Sequence, residues 1–434
     1  MSDVVIGMSG LLTILLLILF RLPISISLGF VSFLGLTQII GFNSSLSLVG
    51  RVPFDFAANW TFTAVPTFLL MGTIAFYTGL TANLFHAARL WLGFLPGGLA
   101  VATNFACAGF GAASGSSLAT TVAMGRLAIP EMTKYKYDPG LACAVCCCSG
   151  TLGALIPPSI MMVMYGIFAE QSISKLFIAG ILPGLLTAFI YALMIILRCS
   201  WNKDLAPRLD ERPTMQEKIS ALLGIWPLLV LITLVMGGIY LGFTTPTEAG
   251  SIGVVAVLLL AAYQRRLTVD LLMKSLKDAA VSTAGIFFIA LGAILLTKFM
   301  TFSGVPVALA EIVNQYSVSP LLFIIMASVL YLILGMFLDP LGILLVSIPI
   351  LMPLLQSYEM NLIWFGVIAV KYIEIGLMTP PVGMNVFAVK SLVGEDFSLV
   401  TIFKGVFWFL GAEAVIMVLL IAFPQISLFL PSLM

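Results

Sequence analysis

Adjacent prolines are poorly tolerated inside a helix. Each removes an N–H donor and strands the carbonyl four residues back. This chain places such a pair twice within apolar sequence, at Pro157-Pro158 (149–159, SGTLGALIPPS) and Pro380-Pro381 (375–385, IGLMTPPVGMN). The two pairs lie 223 residues apart. The same offset relates Ser116 to Asp339, Pro130 to Pro353 and Asp138 to Asn361. The chain therefore reads as two copies of one unit, each with an obligatory unwound stretch near its middle.

Composition decides where those stretches sit. Hydrophobic residues make up 61% and charged residues 9%, with a mean hydropathy of +1.15. A soluble globule is about half apolar and about a quarter charged. Here lipid must cover what polar side chains cannot, so the chain is expected to be an all-α polytopic membrane protein. About 20 apolar residues per crossing leave room for about ten transmembrane helices plus shorter elements. Lys+Arg total 20 against 19 Asp+Glu, which leaves no basic field for nucleic acid. The first apolar run, 4–20, follows Asp3 and ends at Arg21; without basic residues ahead of it or a small-residue cleavage site, it reads as a retained span.

Charge sets the orientation. The polar stretch 198–218 and the stretch 265–277 are both basic, and the turn between their two spans, 242–250, has no Lys or Arg. The positive-inside rule makes both basic loops cytoplasmic. Propagated along the chain, it places 15 of the 20 basic residues inside, including Arg21, Arg89, Lys134, Lys136, Lys390 and Lys404, with only Arg51 and Lys175 in outer loops. Both termini are then expected outside.

Segments 97–132 and 319–355 are each too long for one crossing, and breakers interrupt them at 111–117 (GAASGSS) and 335–340 (GMFLDP). Each has loops of one side at both ends, inner for the first and outer for the second. They read as two opposed re-entrant hairpins in inverted repeats. Irregular backbone at membrane depth survives only when buried in protein or lining a wet cavity. Inverted repeats with broken helices are the construction of secondary transporters, whose sites lie at the repeat interface near the midplane.

Freed carbonyls and hydroxyls are hard oxygen ligands suited to Na⁺, and half-helix N-termini suit a carboxylate. Ser114, Ser116 and Ser117 with carbonyls of 150–156 make one candidate cation site; Asp339 and Thr379 with carbonyls of 376–378 make a second. A carboxylate at that depth is functional by default, although Asp339 at a breaker also has the look of a helix cap. Arg126 suits an anionic substrate or the free carbonyls of the tip. Lys371 and Glu374, three apart on one helical face, are placed to neutralise each other. Asn385, just past the second break, suits substrate or a half-helix end. Lys298 is expected to snorkel. The only His, His86, lies in an amphipathic stretch near the inner surface and is not expected to act chemically. Six cysteines include 143–148 (CAVCCC), whose C-x-x-C spacing has no nearby His; they read as small helix packers. There is no G-x-x-x-x-G-K-[ST] loop and no H-E-x-x-H, so neither ATP hydrolysis nor a zinc protease is expected.

The stretches 110–117 (FGAASGSS), 125–132 (GRLAIPEM), 150–159 (GTLGALIPPS), 176–184 (LFIAGILPG) and 374–385 (EIGLMTPPVGMN) resemble the large membrane subunit of tripartite ATP-independent periplasmic (TRAP) transporters over nearly the whole chain. The departure is Cys146-Cys147-Cys148, where that family usually has small residues. The resemblance implies a Na⁺-coupled elevator-type importer of organic acids in a bacterial inner membrane. It further implies a small TRAP membrane subunit and a periplasmic substrate-binding protein as partners, and no cofactor beyond Na⁺. By motif, one sodium site belongs at Ser114, Gly115 and Ser116 with Gly153, Ile156 and Pro158, and the other at Asp339 with Gly376, Met378 and Thr379. Substrate is expected between the tips, near Ser117, Arg126, Thr151, Pro157, Pro380 and Asn385.

The expected organisation is scaffold helices and an amphipathic arm (1–96), a first transport repeat (97–196), a central loop with scaffold helices and a second arm (197–318), a second transport repeat (319–390) and a C-terminal span (391–434). Two alternatives remain at this level: a self-sufficient Na⁺/dicarboxylate symporter and an intramembrane hydrolase.

Overall fold

The computed structural model describes residues 2–20, 22–207, 213–315 and 319–434; Arg21, and Arg208 and Arg212 of the central basic loop, lie outside the described residues. The chain is all-α, with no strand among the described residues. Among the described residues six helices are long and apolar enough to cross a membrane alone, and up to eight spans result if each bent pair is one. Asp3–Leu19 and Ile24–Ile40, at 17 residues each, fall just short by length. At about 1.5 Å per residue they still rise about 25 Å.

The repeat is visible in the helix starts. In the first hairpin Gly98–Ser114 enters and Ser117–Lys134 returns; in the second, Pro320–Gly335 enters and Pro340–Ser357 returns. Ser116 and Asp339 are the N-caps of the two returning arms. Asp138 and Asn361 are the N-caps of the spans that follow, Pro139–Gly150 and Leu362–Gly376. A short polar side chain is needed at each of these positions because the first turn of a helix leaves its N–H groups without intrahelical acceptors. The offset of 223 is thus a repeated set of caps. Pro130 and Pro353 lie inside the returning arms.

Neither diproline stretch is a continuous rod. Pro139–Leu155 and Ile160–Phe168 meet at 43° across the first break. In the second copy helix stops at Gly376 and resumes at Met384. Both Pro-Pro peptide bonds are cis. The two copies interlock. The first hairpin's returning arm packs on Met384–Val393, beyond the second break, and the second hairpin's returning arm packs on Ile160–Phe168, beyond the first.

Around this core stands a second group of helices. Val269–Ser303, 35 residues and about 50 Å long, packs on Ile24–Ile40, Ala64–Tyr77 and the second hairpin's returning arm. The amphipathic helix Leu80–Leu92 lies along the first hairpin, and Val305–Gln315 lies along the second.

Candidate functional site

The first hairpin tip is docked on the first unwound stretch. The carbonyl of Gly115, left-handed at φ +64°, accepts from the Ile160 N–H at 3.3 Å. A Cβ there would sit 2.6 Å from the Pro158 carbonyl oxygen, so only glycine permits the approach. Gly153 comes equally close from the other side: a Cβ on it would lie 2.7 Å from the Ser116 carbonyl oxygen and 2.5 Å from Thr120 Oγ1. Ser114 Oγ and Thr120 Oγ1 are 2.8 Å apart, and Thr120 donates to the Ser116 carbonyl at 2.8 Å. Ser114, Gly115, Ser116, Gly153 and Pro158 therefore meet, and they bring carbonyl and hydroxyl oxygens into one small volume. Ile156 is extended (ψ 123°) and turns toward Gly184 on the next span. The Ser159 hydroxyl donates to the freed Ala154 carbonyl, and Thr151 Oγ1 donates to the Cys148 carbonyl at 2.6 Å.

The second site is more open. Asp339 Oδ2 accepts from the Gly342 N–H at 2.9 Å, so the cap is real. No hydrogen bond joins Asp339 to Gly376, Met378 or Thr379. What couples the two segments is backbone: a Cβ on Gly376 would lie 2.5 Å from the Gly335 Cα, one turn before Asp339. Thr379 Oγ1 donates to the Ile375 carbonyl at 2.6 Å and its N–H to the Gly376 carbonyl at 3.1 Å. Pro380 begins the remaining stretch, and Gly383, at φ +63°, starts the helix beyond it.

The residues expected to hold substrate scatter. Ser114 and Ser116 line a cleft of about 530 Å³ between the first hairpin and two outer helices, with Tyr77, Lys277 and Asp278 on its far wall. The Tyr77 hydroxyl donates to Asp278 there at 2.5 Å. Arg126 is exposed on the returning arm. Ser117 and Thr151 are instead buried on the inner side, at 5% and 2% exposure. Asn385 is fully buried and donates to the Cys147 carbonyl at 3.3 Å, so it ties the second copy to a half-helix end in the first.

One expectation is corrected. Lys371 does not pair with Glu374. Its Nζ lies 2.6 Å from Glu413 Oε1 on the last span, Leu399–Ala422, and the Tyr191 hydroxyl donates to the same oxygen. Spacing along one helix favours a partner three residues on; the packing of a neighbouring helix supplies a better-aimed one. Thr120, Thr121 and Glu413 were missed. The signals were present: hydroxyls one turn after Ser116 and Ser117, and a lone acid in a 24-residue apolar helix. Cys143, Cys146, Cys147 and Cys148 are buried free thiols inside Pro139–Gly150, as expected of packers. His86 lines a shallow cavity with Asn83 and Glu217.

Comparison with known proteins bears on the family and the fold. The family "Tripartite ATP-independent periplasmic transporter, DctM component" matches residues 11–426. The chain is 35% identical over 381 residues to the C4-dicarboxylate TRAP transporter large permease protein DctM of Pseudomonas aeruginosa, covering 87% of this chain and 88% of that one. It is 31% identical to the sialic acid TRAP transporter large permease protein SiaM of Vibrio cholerae, covering 95% of each. Among solved structures, the YdaH transporter of Alcanivorax borkumensis shares the fold, with a TM-score of 0.62 at 14% identity over 95% of this chain and 98% of that one. With a family match across nearly its whole length, and with paired hairpins and paired diproline breaks in its fold, this chain belongs to the DctM component family of tripartite ATP-independent periplasmic transporters.

Proposed function

We propose that the chain is the large permease subunit of a Na⁺-coupled importer of organic acids, of C4-dicarboxylate, sialic acid or sugar-acid type. It takes cargo from a periplasmic binding protein and works beside a small membrane subunit in a bacterial inner membrane, with both termini periplasmic. The supporting observation is the docking of the first hairpin tip on the unwound 156–159 stretch, which gathers oxygen ligands without any fixed cation. Na⁺ bound by Ser114, Ser116 and the carbonyls around Gly153 and Pro158 orders that stretch. A second Na⁺ near Asp339 and Thr379 orders the other. The two transport repeats, 97–196 and 319–390, then move as one block against the scaffold of 1–96 and 197–318.

The energetics require more than one ion. A charge crossing 100 mV gains about 2.3 kcal/mol, and a tenfold gradient adds about 1.4 kcal/mol. Two Na⁺ supply about 7 kcal/mol, and a monoanionic cargo moving inward still nets about 5 kcal/mol. One ion would leave an anion with almost nothing beyond the chemical gradient.

Relatives named as permeases and the absence of any hydrolytic constellation in the sequence favour transport over an intramembrane hydrolase. Proteoliposomes holding the large and small subunits test the reading. Uptake of radiolabelled succinate and sialic acid is measured with and without a Na⁺ gradient and the binding protein. At least one cargo is expected to need both. Uptake that proceeds without any binding protein would instead indicate a self-sufficient symporter.

A further inference from the structure

Glu374 is the one buried carboxylate among the described residues of the transport repeats, and the two sodium positions leave it unused. It is 2% exposed, and neither carboxylate oxygen has a hydrogen-bond partner. The Ser117 hydroxyl faces it without completing a hydrogen bond, and Lys371 and Glu413 are its charged neighbours. Lys371 is already committed to Glu413 at 2.6 Å, so one ammonium stands against two buried carboxylates. An uncompensated carboxylate in such surroundings is too costly to persist, and buried oxygen acceptors need donors or a cation.

The surroundings are rich in oxygen and hold no cationic side chain free of another partner. Thr121 lies one turn after Ser117 on the same face, and its buried Oγ1 also has no partner. Asn385 spends its amide N–H on the Cys147 carbonyl and leaves Oδ1 unpartnered. Gly150 packs against Thr121, with no room for a side chain between them. These groups border the 147–151 turn, where the first repeat meets the second. The position is also separate from the Asp339 site. Glu374 faces the first hairpin through Ser117, whereas Gly376, two residues on, faces the second hairpin through Gly335.

We propose that the Glu374 carboxylate holds a third Na⁺ ion, with the Ser117 and Thr121 hydroxyls as neutral ligands. The ion balances the second carboxylate and ties the tip of the first hairpin to the second broken span, so its binding favours the assembled transport block. The proposal rests on the Na⁺-coupled transport reading, and its test separates the two.

Equilibrium ²²Na⁺ binding is measured on the purified large and small subunits in detergent. Three ions per large subunit are expected in the wild type and two in Glu374→Gln. Glu374→Asp keeps the charge and shortens the reach by one methylene; it is expected to retain three ions, with at least a fivefold weaker affinity for one of them. Two ions in the wild type overturn the third site while leaving Na⁺ coupling intact, and that result needs no variant to fold. Three ions in both the wild type and Glu374→Gln also overturn it. No bound Na⁺ at all in the wild type rejects the coupling reading itself.

Discussion

Asp339 has one observed role and one proposed role, and a single substitution separates them. Its Oδ2 caps the second returning arm at 2.9 Å from the Gly342 N–H, and its charge is proposed to meet a sodium ion. Asparagine caps a helix about as well as aspartate, so Asp339→Asn keeps the cap and removes the charge. A unit charge 4 Å from the ion is worth about 4 kcal/mol at an effective dielectric of about 20. Because Asp339 is only partly buried, a fraction of that survives, and 1.4 kcal/mol already equals a tenfold change. The half-saturating Na⁺ concentration for uptake in proteoliposomes is therefore expected to rise at least tenfold in Asp339→Asn, with thermal stability in detergent almost unchanged. Asp339→Ala loses both functions and is expected to lose a further 1 kcal/mol or so of stability. If Asp339→Asn shows wild-type Na⁺ dependence while Asp339→Ala shows only the stability loss, the carboxylate is a cap and nothing more.

Gly376→Ala drives a Cβ to 2.5 Å from the Gly335 backbone, which no rotamer relieves. Overpacking of this kind costs about 1–3 kcal/mol, to be read as a lower melting temperature in detergent; an unchanged value would mean that the second hairpin is loosely seated. Glu413→Gln leaves Lys371 buried at 2% exposure without its counterion. Breaking a buried pair on one side costs about 3–5 kcal/mol, so little folded protein is expected by size-exclusion chromatography, and a full yield would show that water reaches the pair.

The broken architecture was legible because proline and glycine act locally. Pro157-Pro158 and Pro380-Pro381 had to interrupt helix wherever the chain went, and Ser116 and Asp339 each stood where a new helix needed a cap. Which side chains face each other across the block was not legible. Lys371 and Glu374 share a helical face, yet Lys371 reaches a residue 42 positions away. That choice depends on the azimuth of the last span, which near-uniform apolar sequence does not encode. Ser117 was grouped with Ser114 and Ser116 for the same reason. The tip reverses direction at Gly115, which turns Ser117 inward while Ser114 and Ser116 stay on the cleft.

The tight pairing of Lys371 with Glu413 on the last span has an electrical consequence for the proposed transport cycle. Opposite charges 2.6 Å apart amount to a short dipole, which crosses the membrane field with almost no work. A lone charge would exchange about 2.3 kcal/mol per 100 mV. Asp339 and Glu374 have no such built-in neutraliser, and under the proposed sodium coupling a bound cation takes that role at each. In the proposed carrier the membrane voltage then acts on the ions and the cargo, and the buried pair stays silent to it.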